Sequence, residues 1–349
     1  MTHDAADPPY LQVNDLRVRF STADGEVRAV DGVSFGLGRG RTLGIVGESG
    51  SGKSVTSLAV MGLHDPTRTR ITGEITLGGR QLVGLPDDEM RKLRGRDVAM
   101  IFQDPLSALH PFYTVGRQLT EAYRAHHPDA SKKQAHRRAV DMLGRVGIPQ
   151  PDRRFGQYPH EFSGGMRQRV MIAMSLMNDP ALLIADEPTT ALDVTVQAQI
   201  LDLLADLQRE FNSAVILITH DLGVVSQVAD EVLVMYGGRA VEHGSVAQVM
   251  RGPQHPYTWG LLASIPSLHG DPEIDLKPIK GNPPSLINVP PGCAFHPRCA
   301  YAMKPEPCAT DVPQLLPVPA DGHRVACHLP EDRRTSIYTE EIAHVGVAQ

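Results

Sequence analysis

Several features are missing from this 349-residue chain, and each absence narrows the function. Lysine and arginine number 34 against 40 aspartate and glutamate, a net charge of −6, so the basic field typical of nonspecific nucleic-acid or membrane-surface binding is absent. Long apolar runs are also missing, since Ala181–Ala185 and Ala214–Thr219 fall far short of the ~20 residues that a spanning helix needs. Cysteine does not occur before the last sixty residues, where four are found: Cys293, Cys299, Cys308 and Cys327.

The first ten residues, Met1–Tyr10, are acidic and contain proline, and they lack a basic stretch followed by an apolar one. This pattern does not fit a secretory signal, so we expect the chain to stay in the cytosol. Any work at a membrane would then be done through partner proteins.

Strand-like and helix-like segments alternate along much of the sequence. Short alternating segments over 11–43 predict a small antiparallel β-layer, and a buried strand over 41–46 leads through a glycine-rich turn into a helix. Further buried strands are predicted at 181–186, 214–220 and 231–238, with an amphipathic helix at Val194–Phe211 between the first two. Strands alternating with helices predict an α/β fold around a parallel sheet that is covered on both faces.

Composition suggests how the chain is divided. Proline becomes frequent after Gly252, where periodic segments become rare. We therefore predict a nucleotide-binding domain over 1–252 with a helical subdomain at about 105–177, a loop-rich cysteine module over 253–330, and a partly disordered tail over 331–349.

The glycine-rich turn has the sequence GESGSGKS. Its glycines allow backbone amides to close around phosphate oxygens, the lysine can reach the β- and γ-phosphates, and the last serine can ligate Mg²⁺. The following helix would point its positive end at the anion. A turn that matches by chance is expected only about once in a hundred such chains. The predicted nucleotide contacts are Gly47, Ser49, Gly50, Ser51, Gly52, Lys53 and Ser54.

Two further segments carry acidic or anion-seeking groups. The strand ALLIADE ends in Asp186, which could hold Mg²⁺, and Glu187, which could polarise the water that attacks the γ-phosphate. The segment FSGGMRQRV begins a helix with Ser163, Gly164 and Gly165, another terminus suited to an anion, although an ordinary helix cap would read the same way.

The order of these motifs resembles that of the ATP-binding-cassette ATPases. In that family Gln103 would sense the γ-phosphate and Mg²⁺ and couple to a transmembrane partner, and His220 would contact the γ-phosphate. Asp193 would lie at a dimer interface, and Phe20 is placed either to stack on adenine or to pack in the core. The six matching segments are Gly47–Ser54, Gln103, Ser163–Met166, Ala181–Glu187, Ala191–Asp193 and His220.

The resemblance also implies partners. Met166 and Phe162 depart from the commonest signature, but Ser163 and Gly165, which would meet phosphate, are intact. Because the signature of one protomer completes the ATP site of another in this family, a second ATPase chain would be required. Four flanking segments resemble bacterial oligopeptide and dipeptide importers: FQDPLSALHP, FSGGMRQRVMIAMSL, HPYTWGLLASIP and GCAFHPRCA.

This closer resemblance implies an ATPase subunit on the cytoplasmic face of the cell membrane, as one of two different ATPase chains. It would work with two permease subunits and an extracytoplasmic binding protein. Nickel importers share most of these motifs and remain an alternative, as does a soluble cassette ATPase, although this chain has neither tandem cassettes nor a basic patch. An exporter fits the cysteine-bearing module less well.

The four cysteines leave two metal hypotheses open. Disulfides are disfavoured in a reducing cytosol, and paired Cys-x₂-Cys knuckles typical of zinc sites are absent. Iron–sulfur clusters also take four thiolates, and the importer family implies a [4Fe–4S] centre here. Zn²⁺ is the main alternative, and buried thiols without a ligand are the remaining one. The neighbouring His296, His323 and His328 are interpreted as packed or solvated side chains.

Overall fold

A computed structural model describes residues 8–190, 192–264, 279–318 and 322–342. The predicted α/β fold is confirmed. The strands are β1 Leu11–Thr22, β2 Gly25–Leu37, β3 Thr42–Val46, β4 Thr69–Leu77, β5 Arg80–Gln81, β6 Val98–Ile101, β7 Leu182–Asp186, β8 Ala214–Thr219, β9 Glu231–Tyr236, β10 Arg239–Ser245, β11 Leu316–Pro317 and β12 Arg324–Val325.

Helices fill most of the remaining described chain. They are α1 Lys53–Val60, α2 Asp87–Leu93, α3 Pro105–Ala108, α4 Val115–Arg124, α5 Lys132–Arg145, α6 Pro151–Arg154, α7 Gly164–Ser175, α8 Val194–Phe211, α9 Leu222–Val228, α10 Val246–Arg251, α11 Pro256–Leu262 and α12 Glu331–Ile337. The chain forms two compact units, residues 1–11, 37–41 and 78–218 (the first unit) and residues 12–36, 42–77 and 219–349 (the second unit).

The first unit contains the strand order β8-β7-β6, in which both neighbouring pairs are parallel. All residues of β6 and β7 are buried, as expected for parallel strands covered on both faces. Between β6 and β7 the chain is helical, from α3 through α7, as the helical pattern predicted. Side-chain caps fix four of the helix starts in this unit, at Thr114, Ser131, Ser163 and Asp193.

The second unit contains two β-arrangements. One has the strand order β2-β1-β4, and the other has β11-β12-β10-β9-β3, in which β3 and β9 are parallel and β9, β10 and β12 are antiparallel neighbours. The five residues of β3 are buried. A side chain at Gly44 within this strand would meet Val225 of α9 at 2.3 Å, so the glycine permits close packing of the helix on the strand.

The tail was predicted to be partly disordered, and the part of it that the structure describes, residues 331–342, is helical. Glu331–Ile337 forms α12 and is followed by a π-helical turn, Tyr338–Ile342. The helix is ordered because Ile337 and Tyr338 bury apolar surface in a cluster with Trp259 and Leu329. Residues 343–349 of the predicted tail lie outside the described residues.

Candidate active site

The glycine-rich turn joins β3 to α1 in the second unit, and its glycines are required for different reasons. A side chain at Gly47 would meet the carbonyl oxygen of Met235 at 2.3 Å. At Gly52 the backbone has φ +103°, and a side chain would meet the carbonyl oxygen of Ala29 at 2.4 Å. Gly50 has φ +78° but open space around it, so only its backbone conformation calls for glycine.

Side chains in the turn divide into buried and accessible ones. Lys53 is buried, and its Nζ donates to the carbonyl oxygens of Gly47 at 2.6 Å and Glu48 at 3.1 Å, which holds the ammonium group across the turn. Ser54 at the start of α1 is exposed, as is Ser49, whereas Ser51 is buried. The turn thus fits the predicted phosphate cradle, with a cation and an exposed hydroxyl beside a helix N-terminus.

Two other predicted nucleotide contacts lie in the second unit. Phe20 is half-buried near the end of β1 and meets His64 edge-on, with ring centroids 5.3 Å apart. This contact accounts for part of its packing, and adenine stacking stays a prediction. His220 is exposed directly after β8, and Asp221, the next residue, caps α9 by accepting from the amide of Gly223 at 2.7 Å.

The acidic pair lies at the carboxyl end of β7 in the first unit. Asp186 is buried and Glu187 is half-buried, and Glu187 adopts φ +46°, a conformation that costs a non-glycine residue of order 1–3 kcal/mol. Gln103 donates from Nε2 to Oε2 of Glu187 at 3.0 Å, and the hydroxyl of Thr190 donates to the same oxygen at 2.9 Å. The structure therefore brings Gln103 and Glu187 together, as their predicted roles require.

The signature segment caps helix α7. Ser163 accepts a hydrogen bond from the amide of Met166 at 3.3 Å, so the helix-cap interpretation is correct for its side chain, while Ser163 and Gly164 remain exposed. A side chain at Gly165 would approach Val196 of α8 within 3.0 Å. Gln168, one turn further along, donates to the carbonyl oxygen of Pro188 at 2.6 Å and ties this helix to the turn after Glu187.

The interface prediction rests on the segment Ala191–Asp193. Asp193 is exposed and caps α8 by accepting from the amide of Val196 at 2.9 Å, while Ala191 lies outside the described residues. The contact of Asp193 with a second protomer stays a prediction.

The four cysteines line one narrow cavity of about 10 Å³ in the second unit. All four thiols are free, and the amide of Cys293 donates to the carbonyl oxygen of Cys308 at 2.9 Å. Within the described ranges, no three His, Cys, Asp or Glu side chains are arranged to hold a single metal ion. The positions of these side chains therefore do not by themselves support the predicted metal centre. The four sulfur atoms nevertheless lie around one cavity.

Burial disfavours the thiolate form of three of the four cysteines. It raises the pKa of Cys299 to about 12 and that of Cys327 to about 11, and it also raises the pKa of Cys293. Thiolates clustered in such a place need a compensating positive charge, which a bound metal would supply.

The three nearby histidines, interpreted from the sequence as packed or solvated side chains, each contact an oxygen atom of the protein. His323 bonds through Nε2 to Glu242 at 2.8 Å, and both side chains are buried. His296 contacts the carbonyl oxygen of Cys293 through Nδ1 at 2.9 Å, and His328 contacts that of Asp311 through Nε2 at 2.8 Å.

The sequence reasoning did not identify one residue of the phosphate turn, Glu48, or its two partners. Glu48, inside the turn, bonds to Arg298 and Tyr257 of the cysteine-bearing region. Arg298 and Tyr257 stand inside segments that resemble the importer family, FHPRC and HPYTWG, but nothing in those letters pairs them with a residue more than 200 positions earlier.

Comparison with known proteins agrees with this geometry. Residues 30–190 match the family described as ABC transporter, and residues 241–308 match the oligopeptide/dipeptide transporter C-terminal region. The chain is 56% identical over 295 residues to the oligopeptide transport ATP-binding protein OppD of Bacillus subtilis (strain 168), which covers 84% of this chain and 82% of the relative. It is 52% identical over 324 residues to the dipeptide transport ATP-binding protein DppD of the same organism, covering 93% and 95%.

Solved structures show the same fold. The ATP-binding cassette MJ0796, a dimer in a post-hydrolysis state with ADP and Pi, matches with a TM-score of 0.61 and 26% identity, over 68% of this chain and 98% of that one. The protein is therefore a member of the ABC transporter ATPase family. Within that family, the two relatives named above are both peptide transport ATP-binding proteins.

Among the helices of the described residues, none has the length and apolar character needed to cross a membrane.

Proposed function

We propose that this ATPase energises the uptake of oligopeptides or dipeptides as the cytoplasmic-face subunit of an ABC importer. The observation that carries the proposal is the pairing of an ABC cassette at 30–190 with an oligopeptide/dipeptide transporter C-terminal region at 241–308 in one chain. This second match also argues against a soluble cassette ATPase or an exporter. The high identity to OppD and DppD supports a peptide as the solute.

Glu187 is the residue proposed to activate water. Its carboxylate is oriented by Gln103 and Thr190, and its strained backbone is the kind of feature that tends to persist at a functional site. In this role Glu187 polarises the water that attacks the γ-phosphate, while Lys53 and the amides of the turn offset the negative charge of the transferred group. His220 is proposed as a further contact to the γ-phosphate.

Mg²⁺ would neutralise phosphate charge when bound with ATP. The residues proposed to hold it are Ser54, Gln103 and Asp186, whose oxygen atoms suit a hard cation. Ser54 is exposed at the helix start, and Asp186 is buried at the end of β7.

A single chain is proposed to form only part of the active ATPase. The exposed Ser163 and Gly164 at the start of α7 are suited to meet the phosphates of ATP bound to a second ATPase chain, which we propose to be a different polypeptide. Two permease subunits and an extracytoplasmic binding protein complete the proposed importer. Attachment to the permeases would place this chain at the membrane.

The catalytic assignment is tested by Glu187→Gln in the full chain. Removing the proposed base should lower ATP hydrolysis by about 10²–10⁴-fold while leaving ATP binding intact, because the amide keeps the size and the hydrogen bonds of the side chain. Phosphate release and equilibrium binding of MgATP measure the two effects. Glu121→Gln on α4, an exposed carboxylate paired only with Arg117 among the ion pairs of the described chain, is the matched control. Unchanged hydrolysis in Glu187→Gln would remove this residue from the mechanism.

The solute is tested in a strain that lacks the whole transporter. Restoring the complete operon should allow growth on defined di- to pentapeptides that contain a required amino acid, and the same strain carrying Glu187→Gln should not grow. Rescue of nickel-dependent growth without peptide-dependent growth would instead support the nickel importer.

We also propose that Cys293, Cys299, Cys308 and Cys327 hold a [4Fe–4S] cluster. Support comes from their gathering around one cavity and from the donor set, since such clusters take four thiolates. Zn²⁺, which can also be held by four thiolates, is the alternative. Because the cavity is narrow, cluster binding would require the thiols to move apart.

Anaerobic purification tests the cluster. The protein should be brown, with visible absorbance and about four irons per chain, and Cys308→Ala should lose both. A colourless protein with one zinc per chain would overturn the assignment in favour of Zn²⁺.

A further inference from the structure

The phosphate turn contains an acidic side chain, Glu48, which is unexpected in a loop that binds an anion. Glu48 follows Gly47 directly, and Lys53, the residue that reaches for the phosphates, bonds to its carbonyl oxygen. A carboxylate near bound ATP would repel the triphosphate unless its charge were offset, because Coulomb repulsion between nearby charges is strong at a partly buried site.

Arg298 supplies that offset in a two-pronged ion pair. Its Nη1 lies 2.6 Å from Oε2 of Glu48, and its Nη2 lies 3.0 Å from Oε1. Only 7% of the Arg298 side chain and 27% of the Glu48 side chain are exposed, so the pair is poorly screened by solvent. Such a parallel fork fixes direction as well as charge.

The guanidinium is itself held in place by its remaining donors. Nε donates to the carbonyl oxygen of Lys280 at 2.9 Å, Nη2 donates to that of Gly281 at 3.1 Å, and Nη1 donates to the hydroxyl of Tyr236 at 3.2 Å. With these bonds made, Arg298 can hold Glu48 in one position only.

A second contact fixes the backbone of the same residue. The amide of Glu48 donates to the hydroxyl of Tyr257 at 2.8 Å, and Tyr257 is completely buried. The Tyr257 ring packs against those of Tyr236 and Phe295, with centroids 4.6 Å and 5.4 Å away. This amide is therefore committed to a protein acceptor, and the turn is anchored at its second residue.

We infer that Arg298 and Tyr257 are positioning residues for ATP binding, which act on the phosphate turn through the side chain and the amide of Glu48. Arg298 neutralises the Glu48 carboxylate and keeps it fixed, and Tyr257 holds the backbone beside it. The affinity for ATP thus depends on a contact between the phosphate turn and the region that bears the cysteines. This inference rests on the ATP site and holds whatever solute the importer carries.

The test measures the dissociation constant of MgATP by calorimetry on the full-length chain. Arg298→Met keeps an unbranched stem close to that of arginine and removes the guanidinium charge, and it should weaken MgATP binding by about tenfold, less so at high salt. The double variant Arg298→Met with Glu48→Gln should recover most of this loss, because the unpaired negative charge is gone. Tyr257→Phe, a milder change, should weaken binding by about twofold to tenfold through loss of one hydrogen bond.

Arg334→Met is the matched control. Arg334 is also buried, and it donates to the carbonyl oxygen of Leu329 at 2.6 Å and to Oε1 of Gln254 at 3.1 Å, all outside the phosphate turn. It should lower the unfolding midpoint yet leave MgATP affinity unchanged. The inference is overturned if the Glu48→Gln change fails to rescue Arg298→Met, or if Arg334→Met weakens MgATP binding as much as Arg298→Met does.

Discussion

The phosphate turn and the cysteine cavity are both formed by irregular chain, yet they are specified in different ways. The turn is encoded in the consecutive residues 47–54, and glycines at fixed positions set its backbone. The cavity draws its thiols from 293–327 and closes through contacts between distant residues, such as the bond from the Cys293 amide to the Cys308 carbonyl. A local motif therefore carries its own geometry, whereas the cavity depends on the fold around it.

The glycine beside the cysteine cavity also differs in function from those of the phosphate turn. A side chain at Gly292, beside the first cysteine, would meet the carbonyl oxygen of Cys308 at 2.5 Å, and Gly292 has φ +69°. That glycine serves a long-range approach between two segments, and the sequence around it has no repeating pattern that would reveal its partner. We accordingly expect changes in the turn to act on nucleotide binding directly and changes around the cavity to act first on local stability.

The larger effect is expected in the turn, where Gly52→Ala and Gly50→Ala form a matched pair. Gly52 combines φ +103° with a carbonyl oxygen 2.4 Å from the added methyl, so its substitution should cost about 3 kcal/mol or more and abolish MgATP binding at millimolar concentrations. Gly50 has φ +78° and open space, so its substitution should cost about 1 kcal/mol. Chemical denaturation measures both free energies of unfolding.

Equal losses of unfolding free energy at the two positions would contradict this expectation. They would mean that the positive φ alone determines the loss and that the close approach of the added methyl to Ala29 is relieved. A larger cost at Gly50 would show that the turn is more tightly packed in solution than its geometry indicates.

Much of this arrangement could be predicted from the sequence where the relevant information is local. The strand, turn and helix around Lys53, the acidic pair at the end of β7 and the helical stretch from Pro105 all follow from periodicity and motif spacing. The contact of Gln103 with Glu187 was not predicted, since 84 positions separate the two residues. The family resemblance implied only a role for Gln103 near the γ-phosphate.

The remainder depends on tertiary contacts that leave no periodic trace. Helix α12 was missed because its few apolar residues pack on Trp259, far away in the sequence. The ion pair between Glu48 and Arg298 joins residues 250 positions apart. Two-residue strands such as β12 exist because β10 offers an edge to pair with, and intrinsic propensity contributes little to them.

A smaller effect is expected beside the cysteine cavity, from Glu242→Gln. Glu242 is fully buried in β10 and accepts from the amides of Gln254 at 2.5 Å and His255 at 3.0 Å, as well as bonding to His323. An amide side chain keeps one acceptor but turns a donor toward the others, so the free energy of unfolding should fall by about 2 kcal/mol. Hydrogen exchange should accelerate at the amides of residues 254 and 255, while MgATP affinity changes little.

Glu331→Gln, at the exposed start of α12, is the control and should lower the free energy of unfolding by less than about 0.5 kcal/mol. Unchanged hydrogen exchange at those two amides in Glu242→Gln would show that the buried carboxylate does not hold residues 254 and 255 against β10.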